Sequence, residues 1–206
     1  MPRTAAALIA LAAWSGLAIQ FDATLATTGS AGQALWVPLR FFTVLTNLTV
    51  ALTFTASALG RRISPSWLGG VTLAIVLVGV VYMQLLRGLV ELSGGALLAD
   101  AILHKVVPVL VPLYWVALAP KGRLRWRDPA VWALFPLAYL GYALLRGSAE
   151  GRYAYPFIDV AKLGAAQVAL NAVLIALGFA VAGLALVALD RRLQPDVAAD
   201  QESDQR

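Results

Sequence analysis

The sequence predicts an all-α integral membrane protein, a six-transmembrane-helix bundle with both termini cytoplasmic. Three observations carry that class. First, 60% of the 206 residues are hydrophobic and 13% are charged, against about 45–50% apolar and about 25% charged in soluble domains. Second, six stretches reach the roughly 20 apolar residues needed to cross about 30 Å of hydrocarbon. Third, Lys and Arg are divided unevenly between alternate loops, and cationic loops stay in the cytoplasm. The chain has no Cys and a single His. That excludes disulfides, thiolate nucleophiles, thiolate-bound zinc and most His-rich metal sites. The net charge of +5 does not by itself indicate a nucleic-acid surface, because location matters more than the sum.

The spans are expected at residues 5–27, 36–59, 67–90, 96–118, 130–147 and 161–189, within a membrane domain covering 1–192. The first opens on Met1-Pro2-Arg3 and could be read as a secretory signal with small residues at Ala23–Ala26. Trp14, Gln20, Phe21 and Asp22 make a poor signal core, so the span is expected to be retained. The breaks between spans carry loop chemistry: Thr28-Gly29-Ser30, Arg61-Arg62-Ile63-Ser64-Pro65, Ser93-Gly94-Gly95, Pro120-Lys121-Gly122 and Gly147-Ser148. The sixth stretch is long enough to tilt. From Leu193 to Arg206 the tail turns polar and acidic, as in disordered segments. No internal repeat points to a repeat-built transporter.

With the N-terminus inside, the cytoplasmic segments hold ten of the cations, among them Arg61, Arg62 and the Lys121–Arg127 loop. Six remain outside: Arg40, Arg87, Lys105, Arg146, Arg152 and Lys162. The basic loop sets topology in this reading, with lipid headgroups as a lesser alternative.

Following the spans in alternating directions gathers the polar side chains at one depth. Asp22, Arg40, Thr43, Asn47, Tyr82, Gln84, Arg87, Asp100, His104, Lys105, Tyr142, Arg146, Asp159, Lys162, Gln167 and Asn171 all fall in the outer half. The inner halves are nearly pure Ala, Leu, Val and Gly. Polar groups in a membrane are costly and mark functional interiors, so an outward-facing polar cavity is expected. Long cations at helix ends can instead snorkel to the headgroups, and Arg146, Arg152 and Lys162 are assigned that role.

His104 alone has a pKa suited to proton transfer near neutrality. Asp100, one turn earlier, can share its face and orient the ring. Pro108 offers no N–H to the His104 carbonyl, so the helix is expected to be distorted there. Arg40, Thr43 and Asn47 fall at i, i+3 and i+7, placing a cation, a hydroxyl and an amide on one face. A Thr hydroxyl becomes a nucleophile only when a base takes its proton. Against this stand two plain alternatives: a buried histidine satisfied between helices, and threonines bonded back to carbonyls one turn earlier. Back-bonding is assigned to Thr46, Thr49, Thr53 and Thr55. No Gly-x-Ser-x-Gly elbow, Walker A loop or His-Glu-x-x-His motif is present.

Arg40-Phe41-Phe42-Thr43-Val44-Leu45-Thr46-Asn47, Leu103-His104 with Pro108 and Pro112, and Tyr155-Pro156-Phe157-Ile158-Asp159 together resemble the androgen-induced-protein and androgen-dependent TFPI-regulating protein family. The likeness runs over residues 5–189 and is strongest to the bacterial six-helix branch. The resemblance implies a threonine-dependent lipid hydrolase in the plasma membrane, acting on fatty-acid-ester substrates. Thr43 would be the nucleophile and His104 its base and acid. Arg40 would hold a substrate carboxylate. We add Asp100 as orienter and Asn47 or a freed backbone group as oxyanion donor, with Arg87 and Asp159 as further substrate-binding candidates. Membrane lipids and a lipid ester are the expected partners, with no nucleic acid, metal or organic cofactor. The alternative is a non-enzymatic protein that binds or transports a small solute through the same cavity.

Overall fold

The computed structural model describes residues 2–194, and no strand occurs among the described residues. The expected tail, apart from Leu193 and Gln194, lies outside them. Helix α1 covers Pro2–Thr28 and α2 covers Ala31–Trp36, followed by a 3-10 turn at Pro38–Arg40. Helix α3 is Phe42–Ala58, and α4 is Pro65–Val81, which runs on into a π turn at Tyr82–Leu86. Helix α5, Gly94–Ala101, passes through a second π turn at Ile102–Val106 into α6, Val107–Leu118. The short α7, Asp128–Trp132, leads into α8, Leu134–Glu150. The last helix, α9, is Val160–Arg192, interrupted at Gly164.

Five of the expected spans correspond to continuous helical stretches long and apolar enough to cross a membrane. The second does not. Residues 31–40 and Phe42–Ala58 meet at an angle of 100°, because Phe41 is extended (φ −94°, ψ 132°). Arg40 is therefore outside α3, and the expected shared face of Arg40, Thr43 and Asn47 is corrected to Thr43 and Asn47 alone.

A break like this leaves carbonyls without partners on one side and N–H groups without partners on the other. Side chains of α8 meet the carbonyls. Tyr139 donates to the Arg40 carbonyl at 2.8 Å, Tyr142 to Leu39 at 3.2 Å, and Arg146 to Trp36 at 2.9 Å. Their spacing of three and then four puts all three on one helical face. Arg146 also bonds the Tyr142 hydroxyl and Glu150 and lies over the Trp36 ring. It is buried, so the snorkelling assigned to it is corrected: it is a structural clamp. Glu150 takes Arg40 on its other oxygen.

The core lies where α1, α3, α4 and α6 meet, around Val50, Phe54, Ile75, Val107, Val111 and Trp115. Ala6, Ala10, Ala13 and Gly16 are buried on α1, and such small residues let membrane helices approach closely. Of the threonines assigned to back-bonding, Thr49 does bond Leu45 at 2.9 Å. Thr53 and Thr55 instead accept from the indoles of Trp67 and Trp14, so that assignment is corrected. The buried Thr46 hydroxyl has no hydrogen-bond partner among the described residues.

Two glycines let neighbours approach the second π turn. A Cβ on Gly16 would stand 2.7 Å from Leu103 Cδ2, and one on Gly79 would stand 2.9 Å from Pro108 Cβ. The Pro108 ring cannot swing aside. Gly79→Ala should therefore lower the melting temperature in detergent by an amount equivalent to about 1–3 kcal/mol, as overpacking does. Gly141→Ala on α8, where a Cβ meets nothing within 4 Å, should leave it unchanged or raise it. Equal melting temperatures for wild type and Gly79→Ala would show that α4 does not pack on the π turn this tightly.

Candidate active site

Thr43 is the second residue of α3 and is buried. Its Oγ1 lies 3.0 Å from His104 Nε2. His104 sits in the middle of the second π turn, the distortion expected beside Pro108, and π turns inside helices often mark functional positions. On the other side of the ring, Nδ1 is 3.0 Å from Asp100 Oδ1 and 3.2 Å from the Asp100 carbonyl. Both of these are acceptors, so Nδ1 carries the proton. In the neutral imidazole Nε2 is then the free lone pair, and it accepts the Thr43 hydroxyl. The sequence-predicted Thr43, His104 and Asp100 thus form one hydrogen-bonded line across α3, the π turn and α5.

Two tyrosines complete the cluster. Tyr82, at the start of the first π turn, donates to Asp100 Oδ2 at 2.6 Å. Its ring stacks on the imidazole with centroids 4.3 Å apart. Tyr155 borders the same two hollows as Thr43, with its hydroxyl near the Thr43 hydroxyl and the backbone N–H groups of Phe42 and Thr43. Those N–H groups open α3 and have no carbonyl one turn back to bond, so the break at Phe41 leaves them as donors beside the Thr43 hydroxyl. Tyr82 belongs to the sequence's ring of polar residues and Tyr155 to the Tyr-Pro-Phe segment. Neither spacing reveals that they converge on Thr43.

The remaining candidates lie elsewhere or do other work. Asn47 donates one amide hydrogen to the Thr43 carbonyl at 2.9 Å and the other to the Leu103 carbonyl at 3.2 Å. Both being committed, it ties α3 to the π turn and is not available as an oxyanion donor. Arg40 pairs with Glu150 and does not line a cavity beside Thr43. Arg87 is exposed past the end of the first π turn. Asp159 caps α9 through the Lys162 N–H and pairs with its ammonium.

Two hollows meet at Thr43. A cleft of about 520 Å³ is lined by Thr43, Tyr82, Asp100, His104, Tyr155 and the 88–92 loop, among others. A slot of about 110 Å³ runs between α4, α8 and α9. Its walls are hydrocarbon or aromatic except for Thr43 and the hydroxyls of Tyr139 and Tyr155. Thr43, Leu86 and Tyr155 border both. Among the described residues no group of three or more His, Asp or Glu is placed to hold a metal ion. No family model, curated protein or solved structure matches the chain.

Because the chain has one His, ¹⁵N-histidine labelling gives a single imidazole signal pair from protein purified without a histidine tag. In its neutral form the ring should show Nδ1 protonated and Nε2 bare. Thr43→Val should move the Nε2 resonance, as it loses its donor, and leave Nδ1 protonated. A ring protonated at Nε2 in the wild type would contradict the geometry.

Proposed function

We propose that the chain is a multi-pass membrane hydrolase of lipid esters in which Thr43 is the nucleophile. The observation that carries this reading is the Thr43–His104–Asp100 line, 3.0 Å at each step. A hydroxyl, a base with its lone pair turned toward it, and a carboxylate on the far nitrogen are the parts of acyl transfer by an activated alcohol. The resemblance of the Thr43, His104 and Tyr155 segments to a threonine-dependent hydrolase family points the same way.

In the first step the Thr43 oxygen bonds to the ester carbonyl carbon while its proton passes to His104 Nε2. Asp100 holds the Nδ1 proton and stabilises the imidazolium that forms. The carbonyl oxygen, now negative, sits against the N–H groups of Phe42 and Thr43 and the Tyr155 hydroxyl. A well-placed donor of this kind contributes about 3–4 kcal/mol. His104 returns its proton to the departing alkoxide as the C–O bond breaks, giving an alcohol and acyl-Thr43. A water then attacks with its proton taken by His104, the bond to Thr43 breaks, and the threonine oxygen recovers a proton.

The proposed setting is a bacterial plasma membrane with both ends of the chain inside. Arg3 lies against Gly60, Ser64 borders the same hollow as Arg123, Arg125 and Arg127, and Gly122 bonds the Asp190 carbonyl. The basic loops thus gather at the end of the bundle away from Thr43. The preference of cationic loops for the cytoplasm then turns the cleft outward.

Purified protein in micelles should be labelled by a fluorophosphonate probe and should hydrolyse p-nitrophenyl esters. Thr43→Ala and His104→Ala should each lower turnover by more than about 10³-fold with the melting temperature retained, and Thr43→Ser should keep measurable activity. Asp100→Asn should lower it by about 10²–10⁴-fold. Full activity in Thr43→Ala or His104→Ala would sink the mechanism. A folded wild type that neither labels nor hydrolyses would shift the weight to solute binding in the cleft.

A further inference from the structure

His104 must do two things on one side of the substrate. It takes the Thr43 proton, and it hands that proton to the leaving alcohol oxygen, which has to lie near Nε2. His104 borders the cleft and not the slot, whereas Thr43 and Tyr155 border both. The leaving group therefore belongs in the cleft. The oxyanion donors at the start of α3 and at Tyr155 lie at the junction. The only direction left for the acyl chain is the slot, whose walls past the junction are side chains such as Val78, Leu137, Ala172, Ile175 and Phe179. We infer that the slot between α4, α8 and α9 is the acyl subsite and the His104 cleft is the alcohol subsite. This assignment rests on the hydrolase reading and adds a direction to it.

The dimensions set what each subsite takes. An apolar cavity of about 150 Å³ accommodates a benzene ring. The slot, at about 110 Å³, holds about four to six chain carbons by that comparison. Burial of each methylene is worth about 4-fold in affinity, so esters up to that length should gain steeply in kcat/KM and longer ones little more. The cleft is larger and more polar, bounded by Gln20, Tyr82, Asp100 and His104, and suits an alcohol that carries polar groups. It holds no Arg or Lys among its lining residues. The nearest cation is Lys105, 4.0 Å from Asp100 Oδ2 and 5.6 Å from the centre of the Tyr82 ring.

The chemistry at the junction is the balanced transfer already described. The Thr43 Oγ–acyl bond forms as the acyl–alkoxy bond breaks, and the threonine proton leaves with the alcohol through His104. Water re-enters by the side the alcohol vacates, where His104 can deprotonate it.

Two ester series separate the subsites. One fixes the alcohol as p-nitrophenol and lengthens the acyl group from acetate to palmitate. The other fixes butyrate and lengthens the alcohol from methanol to dodecanol. Ala172→Phe, which fills the slot, should cut kcat/KM for the octanoyl ester at least 10-fold relative to the acetyl ester, and should lower all butyrate esters by a common factor without changing their dependence on alcohol length. Ala176→Phe serves the same purpose if the first variant does not fold. Ala96→Phe, on the cleft wall, should compress the alcohol series and lower all p-nitrophenyl esters by a common factor without changing their dependence on acyl length. The opposite pattern, or no separation between the two variants, overturns the assignment while Thr43-dependent hydrolysis still stands. Absence of any Thr43-dependent hydrolysis in the wild type overturns the hydrolase reading and the assignment with it.

Discussion

A backbone cannot break inside a membrane unless every freed carbonyl and N–H finds another partner, because each one left bare in hydrocarbon costs several kcal/mol. The break at Phe41 is the feature on which the rest of this structure depends. Its carbonyl side is met by Tyr139, Tyr142 and Arg146 from one face of α8, and Arg146 is itself held by Trp36 and Glu150. With the carbonyls provided for in that way, the N–H side faces the cavities with Thr43 in its first turn. An unbroken helix over the same residues would have bonded those N–H groups to its own preceding turn and left no donor beside the threonine hydroxyl.

The partner of that threonine is placed by a second irregularity. His104 occupies a π turn pressed between Gly16 of α1 and Gly79 of α4, with Asn47 bridging the turn to α3. Tyr82 stacks on the ring and bonds the same carboxylate that orients it. Four elements thus fix one imidazole, the kind of support that the proposed proton transfer would need. The polar groups of the cluster are largely satisfied by one another, so their burial is tolerable.

Much of this was legible in the sequence, for a simple physical reason. In a chain this apolar, Asp100 and His104 stand out because membranes tolerate ionisable groups only with a purpose or a partner, and helical spacing alone puts Asp100 beside His104. Thr43 is marked out from its neighbouring threonines by the expected face with Arg40 and Asn47 and by the family resemblance. Five spans followed from length and hydropathy. The break at Phe41 did not, because no Gly lies near it and Pro38 precedes it by three residues; what stabilises it comes from α8, far along the chain. Arg146 read as a snorkelling end residue for the same reason: its partners Trp36 and Glu150 become visible only once α8 lies across the bend. The amide of Asn47 is spent on the Thr43 and Leu103 carbonyls, and one-dimensional spacing cannot say which carbonyls an amide will meet.

Peptide mapping by tandem mass spectrometry after reaction with an alkyl fluorophosphonate tests the central claim most directly. A Thr43 hydroxyl activated by His104 should carry the phosphonyl group in near-stoichiometric yield, with His104→Ala protein unmodified at that position. Modification spread over exposed serines such as Ser148, or a Thr43 adduct that forms equally fast without His104, would contradict it.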